Sequence, residues 1–285
     1  MKKIMILGSA GMLGHMVYFY LKSLNKYTIV DASFPGKLHS ESKLLDVTDD
    51  KEVEQYILNE KPDIVINCIG ILIQGSESDP SNAIRLNSYL PHRLAKILRQ
   101  SNGKLIHIST DCVFSGKKGG YTENDFRDAD DIYGRSKALG EVINQTDVTL
   151  RTSIIGPELH GKGVGLFHWF MQQEGEINGF TQMIWGGVTT LELAKVIDAT
   201  IEQNIRGLIH VTNGNPISKY KILLSLKDIF AKKNIIINQV EGKAVDKSLK
   251  TIRSDLNFNY RSYNDMFVEL YEWMEKNDKL YMQYF

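Results

Sequence analysis

The sequence predicts an α/β protein: a doubly wound parallel sheet with a smaller, interleaved C-terminal domain. Short β-branched runs alternate with amphipathic stretches through the first half, which is the pattern of strands covered by helices on both faces. A glycine-rich turn joins the first run to the first amphipathic stretch. Beyond about residue 156 the alternation breaks down, so a second unit takes over part of the chain.

Taken in order, "KIMILG" is the first strand, "MVYFYLKSL" a helix and "YTIVDA" the second strand. "DVTDDKEVEQYILNEKP" is an Asp-rich helix start followed by a helix. "DIVINCIG" is nearly all apolar, as a strand buried on both faces is. "NSYLPHRLAKILRQS" is a helix with Arg and Lys on its polar side; "KLIHIST" and "TLRTSII" are later strands. "GPELHGKGVGLFHWFMQQ" opens glycine-rich and then carries large apolar side chains. "GLIHVTNG" returns to the sheet, and "IIINQVEGK" lies among basic helices in the last third. The expected division is a sheet domain over residues 1–156 with a return around 188–214, and a substrate-covering region over 157–187 and 215–285.

Composition narrows the function classes. At 285 residues and 42% hydrophobic, the chain can bury a substantial core. Lys plus Arg and Asp plus Glu are equal at 34 each, so no global field favours nucleic acid or an anionic membrane. No stretch approaches the roughly 20 apolar residues that span a bilayer. Cys68 and Cys112 lie in apolar surroundings without metal-ligand spacing, which suggests a reducing, cytoplasmic compartment and no disulfide. His15, His92, His107, His160, His168 and His210 are scattered, so no metal site is expected.

In "GSAGMLG", Gly8, Gly11, Met12, Leu13 and Gly14 lie between the first strand and the first helix. Glycines there permit a tight turn and close approach of a pyrophosphate, which the helix N-terminus attracts. Asp31, after "YTIV", stands where an acidic residue meets the adenosine ribose diol; the other reading is a solvated cap. Asp46 and Val47 in "LLDVTD" approach the adenine, or Asp46 is an ordinary helix N-cap.

Tyr133 and Lys137 in "YGRSKALGE" are four apart and share a helix face. A free Tyr has a pKa near 10 and is a poor proton carrier at neutral pH. A Lys ammonium about 4 Å away, at an effective dielectric near 20, is worth roughly 4 kcal/mol, or about three pKa units. Thr110, at the end of the preceding strand, supplies a second hydrogen bond to an oxygen that gains charge. Ser109 and Thr110 point to opposite faces of a pleated strand, so only one reaches a substrate, and spacing alone does not choose between them. The aromatic residues Phe167, Trp169 and Phe170 are either a stacking surface or a buried helix face. Arg151 faces a phosphate or forms a structural ion pair.

"GSAGMLG", "DVTD", "KPDIVINCIG", "RLNSYLPHRLA", "HISTDCVFSG", "YGRSKALGE" and "LRTSIIG" together resemble the extended short-chain dehydrogenases/reductases, and within them the dTDP-4-dehydrorhamnose reductase branch. The resemblance implies a Rossmann-like doubly wound sheet, an NAD(P)H cofactor and reduction of a 4-keto group on a nucleotide-linked 6-deoxysugar in cell-surface polysaccharide synthesis. It makes Thr110 the hydroxyl on the keto oxygen and Tyr133 the proton donor. Lys137 then lowers the Tyr133 pKa and contacts the nicotinamide ribose, so that Tyr133 and Lys137 also border the cofactor. Cys68, Ile69 and Gly70 would line the cofactor cleft, and Asn87 would support the active-site backbone.

The chain departs from the usual pattern in three places. The family commonly has Tyr at Cys112, a Pro-containing approach in place of "DADDIYG", and Trp at Ile154. The segment "GLFHWFMQQEGEINGFTQMIWGGVTTLELAKVI" looks like a relative that acts on UDP-linked N-acetylated 4-keto sugars. With Asp31 in place, NADH is slightly favoured over NADPH. The expected partner is a nucleotide-sugar substrate, and a homodimer is admitted. The competing functions are an epimerase or dehydratase on the same fold, and a non-catalytic nucleotide-sensing regulatory subunit.

Overall fold

A computed structural model describes every residue except His160 and Lys162. Its centre is a seven-stranded, wholly parallel sheet. Strands β1 (Lys2–Leu7), β2 (Tyr27–Ser33), β3 (Lys43–Leu44), β4 (Ile64–Asn67), β5 (Lys104–Thr110) and β6 (Val148–Thr152) are joined by the strand Gly207–His210. From that strand the order runs β6, β5, β4, β1, β2, β3. The order therefore reverses between β1 and β4, and a crevice opens beyond their carboxyl ends, the usual ligand position in open α/β sheets.

Both faces of the sheet are covered because its strands are apolar on both sides. Ile4, Ile6, Ile64, Ile66 and Ile106 pack toward the helix Gly14–Ser23 and the helix Thr190–Glu202. Met5, Leu7, Val65 and Leu105 pack toward the helices Asp50–Glu60 and Leu90–Leu98. Asp49, not Asp46, caps the first of these: its side chain accepts from the N–H groups of Lys51 and Glu52.

The chain after β6 alternates between the sheet and a set of small sheets. Met183–Trp185 lies between Ile217–Ser218 and Val245–Asp246, and Gly175–Phe180 pairs with Ile235–Val240. "IIINQVEGK" is thus a strand of the small unit. In the helix Leu166–Met171, Phe167 and Phe170 are fully buried while Trp169 is 40% exposed, so the two phenylalanines form a core face. Among the described residues no helix is long and apolar enough to cross a membrane.

Candidate active site

The glycine turn closes over the sheet edge through backbone contacts. Gly8 has φ +83°, and its N–H donates to Ala32 O at 2.8 Å. A Cβ at Gly14 would fall 2.0 Å from Gly8 O, so only glycine lets the helix start this close to the turn. No side chain caps that helix, whose His15 N donates to Gly11 O at 3.2 Å, and a helix N-terminus left without a side-chain cap attracts an anion. Met12 and Leu13 complete the turn, with Leu13 buried in the core. The turn meets the residues after β4 directly: a Cβ on Gly8 would touch Ile69 and the Cys68 backbone. This open backbone cradle, with an uncapped helix end above it, fits a dinucleotide pyrophosphate.

Asp31 stands at the carboxyl end of β2, 5% exposed. Its Oδ2 accepts from Ser9 Oγ at 2.5 Å, and His39 Nε2 lies 3.1 Å from its Oδ1 without hydrogen-bond alignment. Asp31 is therefore not a solvated cap. Asp46 turns inward on its own segment and accepts from Thr48 N and Thr48 Oγ1, while Val47 packs on the second core.

Across the crevice, β5 ends in Thr110. The strand pleat sends Ser109 to Glu141 Oε1 at 2.7 Å and Thr110 to the opposite side, in hydrogen-bonding reach of the Tyr133 phenol. Thr110 Oγ1 also accepts from Cys112 N at 3.1 Å and donates to Asp111 Oδ1 at 3.2 Å, which starts the tight turn Asp111–Val113. Behind the strand end, Ser109, Arg151 and His210 are in register on three neighbouring strands. Arg151 is 1% exposed, donates to both Glu141 oxygens at 2.7 and 2.6 Å, and lies 2.7 Å from His210 Nε2. Arg151 is thus a structural ion-pair residue that anchors the strand, and it faces no phosphate.

Tyr133 and Lys137 lie on the helix Ile132–Leu139, capped by Asp131, whose carboxylate accepts from Gly134 N at 2.7 Å. Both are buried and share the face toward β5. Lys137 Nζ donates to Ile108 O at 2.8 Å, and burial lowers its pKa to about 8 against the pull of Glu141 and Cys68. Burial raises the Tyr133 phenol above its ordinary range; Cys112, Asp111 and Asp131 add to the rise, and the Thr110 hydroxyl opposes it. The spacing predicts a Lys-lowered phenol, but the net shift is upward, with burial first and Lys137 not among its main causes. Desolvation and two carboxylates outweigh the shared helix face.

Asn87 sits in a π-helical turn, Ile84–Tyr89, that no sequence periodicity announced. Its amide brackets the segment after β4: Oδ1 accepts from Ile71 N at 2.8 Å, and Nδ2 donates to Ile71 O at 2.9 Å and Ser136 Oγ at 3.1 Å. A Cβ on Gly70 would fall 3.3 Å from Asn87 Oδ1 and 3.8 Å from Lys137 Nζ, so Cys68, Ile69 and Gly70 bring the glycine turn to the Tyr and Lys. Burial pushes the Cys68 thiol up to about 12 against the pull of Lys137. Asn67, Ser136 and Glu141 also support the site; they lie within "KPDIVINCIG" and "YGRSKALGE", but their spacing gave no role to them: Asn67 Oδ1 accepts from Ile69 N, and its amide meets His107 at 3.2 Å. His15, His92, His168 and His210 also have structural partners, and His160 lies outside the described residues.

The pyrophosphate cradle, the carboxylate at the end of β2 and the Thr–Tyr–Lys group around one crevice define an NAD(P)-dependent oxidoreductase of the extended short-chain dehydrogenase/reductase type. The chain belongs to the RmlD substrate binding domain family, whose model matches residues 1–279. It is 26% identical over 250 residues to a dTDP-4-dehydrorhamnose reductase of Aggregatibacter actinomycetemcomitans, covering 84% of this chain and 82% of that one. It is also 23% identical over 251 residues to the mouse methionine adenosyltransferase 2 subunit beta, covering 80% and 72%. Its fold is shared by the dTDP-4-dehydrorhamnose reductase of Bacillus anthracis solved in complex with NADP, with a TM-score of 0.78 at 23% identity, covering 95% of this chain and 99% of that one.

Proposed function

We propose that the chain reduces the 4-keto group of a nucleotide-linked 6-deoxysugar, dTDP-4-dehydrorhamnose-like or a UDP-N-acetylated 4-keto sugar, in cell-surface polysaccharide synthesis. The observation that carries this reading is the placement of Thr110, Tyr133 and Lys137 at the carboxyl end of β5, across the crevice from the glycine turn. In this reading residues 1–156 and 188–214 hold the cofactor, and 157–187 and 215–285 cover the sugar nucleotide. The turn Gly8 to Gly14 and the helix N-terminus hold the pyrophosphate, Asp31 the adenosine ribose, Asp46 and Val47 the adenine, and Cys68, Ile69, Gly70, Asn87 and Lys137 the nicotinamide end. A bound reduced nicotinamide supplies hydride to the keto carbon. Tyr133 gives its proton to the keto oxygen, so that C=O becomes CH–OH. Thr110 turns its one hydroxyl proton from Asp111 Oδ1 to that same oxygen, and the raised phenol pKa keeps Tyr133 protonated through the working range.

The test is a panel of freshly generated dTDP- and UDP-linked 4-keto-6-deoxysugars, followed by cofactor oxidation and by product configuration. Steady NAD(P)H consumption with one of them supports the reductase. Redox-neutral conversion would indicate an epimerase or dehydratase, and binding without turnover a regulatory subunit.

The two neighbouring hydroxyls should separate cleanly. Thr110→Val is expected to lower kcat by roughly 10²-fold, the usual loss for one donor to a developing oxyanion. Ser109→Ala should instead cost about 1 kcal/mol of stability with kcat little altered, because Glu141 keeps Arg151 and Arg127. The reverse ranking in steady-state kinetics and melting would place the substrate on the other face of β5.

Asp31 supports a slight preference for NADH, since its carboxylate accepts from ribose hydroxyls and repels a 2′-phosphate. Its oxygens already engage Ser9 and His39, which weakens its grip on a ribose and keeps the preference small. Asp31→Ala is expected to narrow or invert the ratio of kcat/KM for NADH over NADPH. A ratio that does not move would mean that the ribose is read elsewhere.

A further inference from the structure

The Thr110 hydroxyl has one proton and two claims on it. Its Oγ1 accepts from Cys112 N at 3.1 Å and donates to Asp111 Oδ1 at 3.2 Å, while the reacting keto oxygen needs the same proton. A hydroxyl offers one O–H and two lone pairs, and the Cys112 N–H fills one of these. An ionised carboxylate only accepts, so an ionised Asp111 holds the proton and leaves Thr110 with a lone pair toward the crevice. A neutral Asp111 donates instead. Its O–H fills the second lone pair of Oγ1, and the Thr110 proton is then free for the substrate. The direction of this hydrogen-bond chain therefore turns on a single proton at Asp111.

Two carboxyl groups are buried around the end of β5, Asp111 and Glu141, each 5% exposed. Burial pushes Glu141 up, but Arg151 at 2.6 Å and Arg127 at 3.0 Å hold it below its ordinary range. Asp111 meets neutral groups instead, Thr110, Cys112 and Ser153. Burial raises it above its ordinary range against their hydrogen bonds and the Lys247 charge. Its neutral form thus persists above the pH at which a free Asp ionises, and is lost as pH rises through the raised value. Cys112, pushed up to about 12 by burial and then by Asp111, and Tyr133, raised first by burial, keep their protons over the neutral range. A neutral Asp111 also sets no negative charge beside an oxygen that becomes negative.

We propose that Asp111 is a positioning residue: as the neutral acid it donates to Thr110 Oγ1 and so releases the Thr110 hydroxyl proton to the keto oxygen. The proposal rests on the reductase reading and adds to it the group that orients the Thr110 hydroxyl. Asp111 keeps its proton throughout, and Tyr133 remains the group that protonates the keto oxygen.

The experiment follows single-turnover hydride transfer from NAD(P)H to a 4-keto-6-deoxysugar nucleotide, from about pH 5 to about pH 9, in wild type, Asp111→Asn and Thr110→Val. Asn matches Asp in size, carries no charge and donates an amide N–H to Thr110 Oγ1, so it reproduces the neutral acid at every pH. A hydrogen bond to a charged group is worth roughly 10- to 100-fold, so the rate of Asp111→Asn relative to wild type should rise by that factor from the acid to the alkaline end. Thr110→Val has no hydroxyl to orient, so the rate of wild type relative to Thr110→Val should fall by a similar factor over the same range. Both ratios cancel the ionisation of Lys137, which all three proteins share. A constant ratio for Asp111→Asn, or a rate for it roughly tenfold or more below wild type at every pH, would overturn the proposal. Should Asp111→Asn fail to fold, the ratio of wild type to Thr110→Val decides, and a constant value overturns it. Absence of hydride transfer by wild type to any 4-keto sugar would instead refute the reductase reading itself.

Discussion

Tyr133→Phe is expected to lower kcat for ketone reduction by roughly 10²–10⁴ while leaving cofactor affinity little changed. The substitution keeps the ring, which is buried against the turn after β5, and removes only the phenolic proton. The phenol is held above its ordinary range by burial first, then by Cys112, Asp111 and Asp131. For an acid that direction is useful: the proton is present throughout the neutral and mildly alkaline range. The wild-type pH–rate profile should therefore show no loss below about pH 9 that Tyr133 alone explains. Near-wild-type turnover in single-turnover measurements would remove Tyr133 from the proton path.

The glycine turn and the Tyr and Lys on one helix were legible because each depends on local backbone geometry. A turn that must admit a pyrophosphate needs glycines at fixed places, and a four-residue spacing on a helix gives one face. The doubly wound sheet was legible for a similar reason: strands such as "DIVINCIG" carry their double burial in their composition. Residues whose role depends on distant segments were not. Asp31 meets Ser9 and His39 only after β2 has docked beside β1, and Arg151 finds Glu141 beyond the end of the helix Ile132–Leu139 and His210 on a neighbouring strand. The π-helical turn that aims Asn87 leaves the apolar pattern of its helix intact, so periodicity passes over it. The phenol pKa was misread because spacing supplies a distance to Lys137 and says nothing of desolvation or of Asp111.

Lys137→Met is expected to abolish most activity and at the same time to stabilise the cofactor-free protein near pH 7. Lys137 is 4% exposed and its ammonium donates to the Ile108 carbonyl at 2.8 Å, and burial brings its pKa from the ordinary 10.5 to about 8. Between those two values the unfolded chain holds a proton that the folded chain has released. Stability contributed by this position therefore rises as pH climbs from about 8 toward 10.5, and below about 8 the folded state carries the full cost of a buried charge. That cost is on the order of 3 kcal/mol, about 1.4 kcal/mol for each pKa unit. Met keeps the length and volume of the side chain without the charge, so the variant should melt higher at pH 7 and lose the alkaline rise seen in wild type. Its kcat should fall and its cofactor affinity should weaken, because the lost ammonium lies beside both Gly70 and β5. The measurement is urea unfolding of both proteins from pH 6.5 to 10.5, alongside steady-state kinetics. Equal stabilities with equal pH slopes would mean that Lys137 is solvated in the free enzyme, and the pKa near 8 would have to be abandoned.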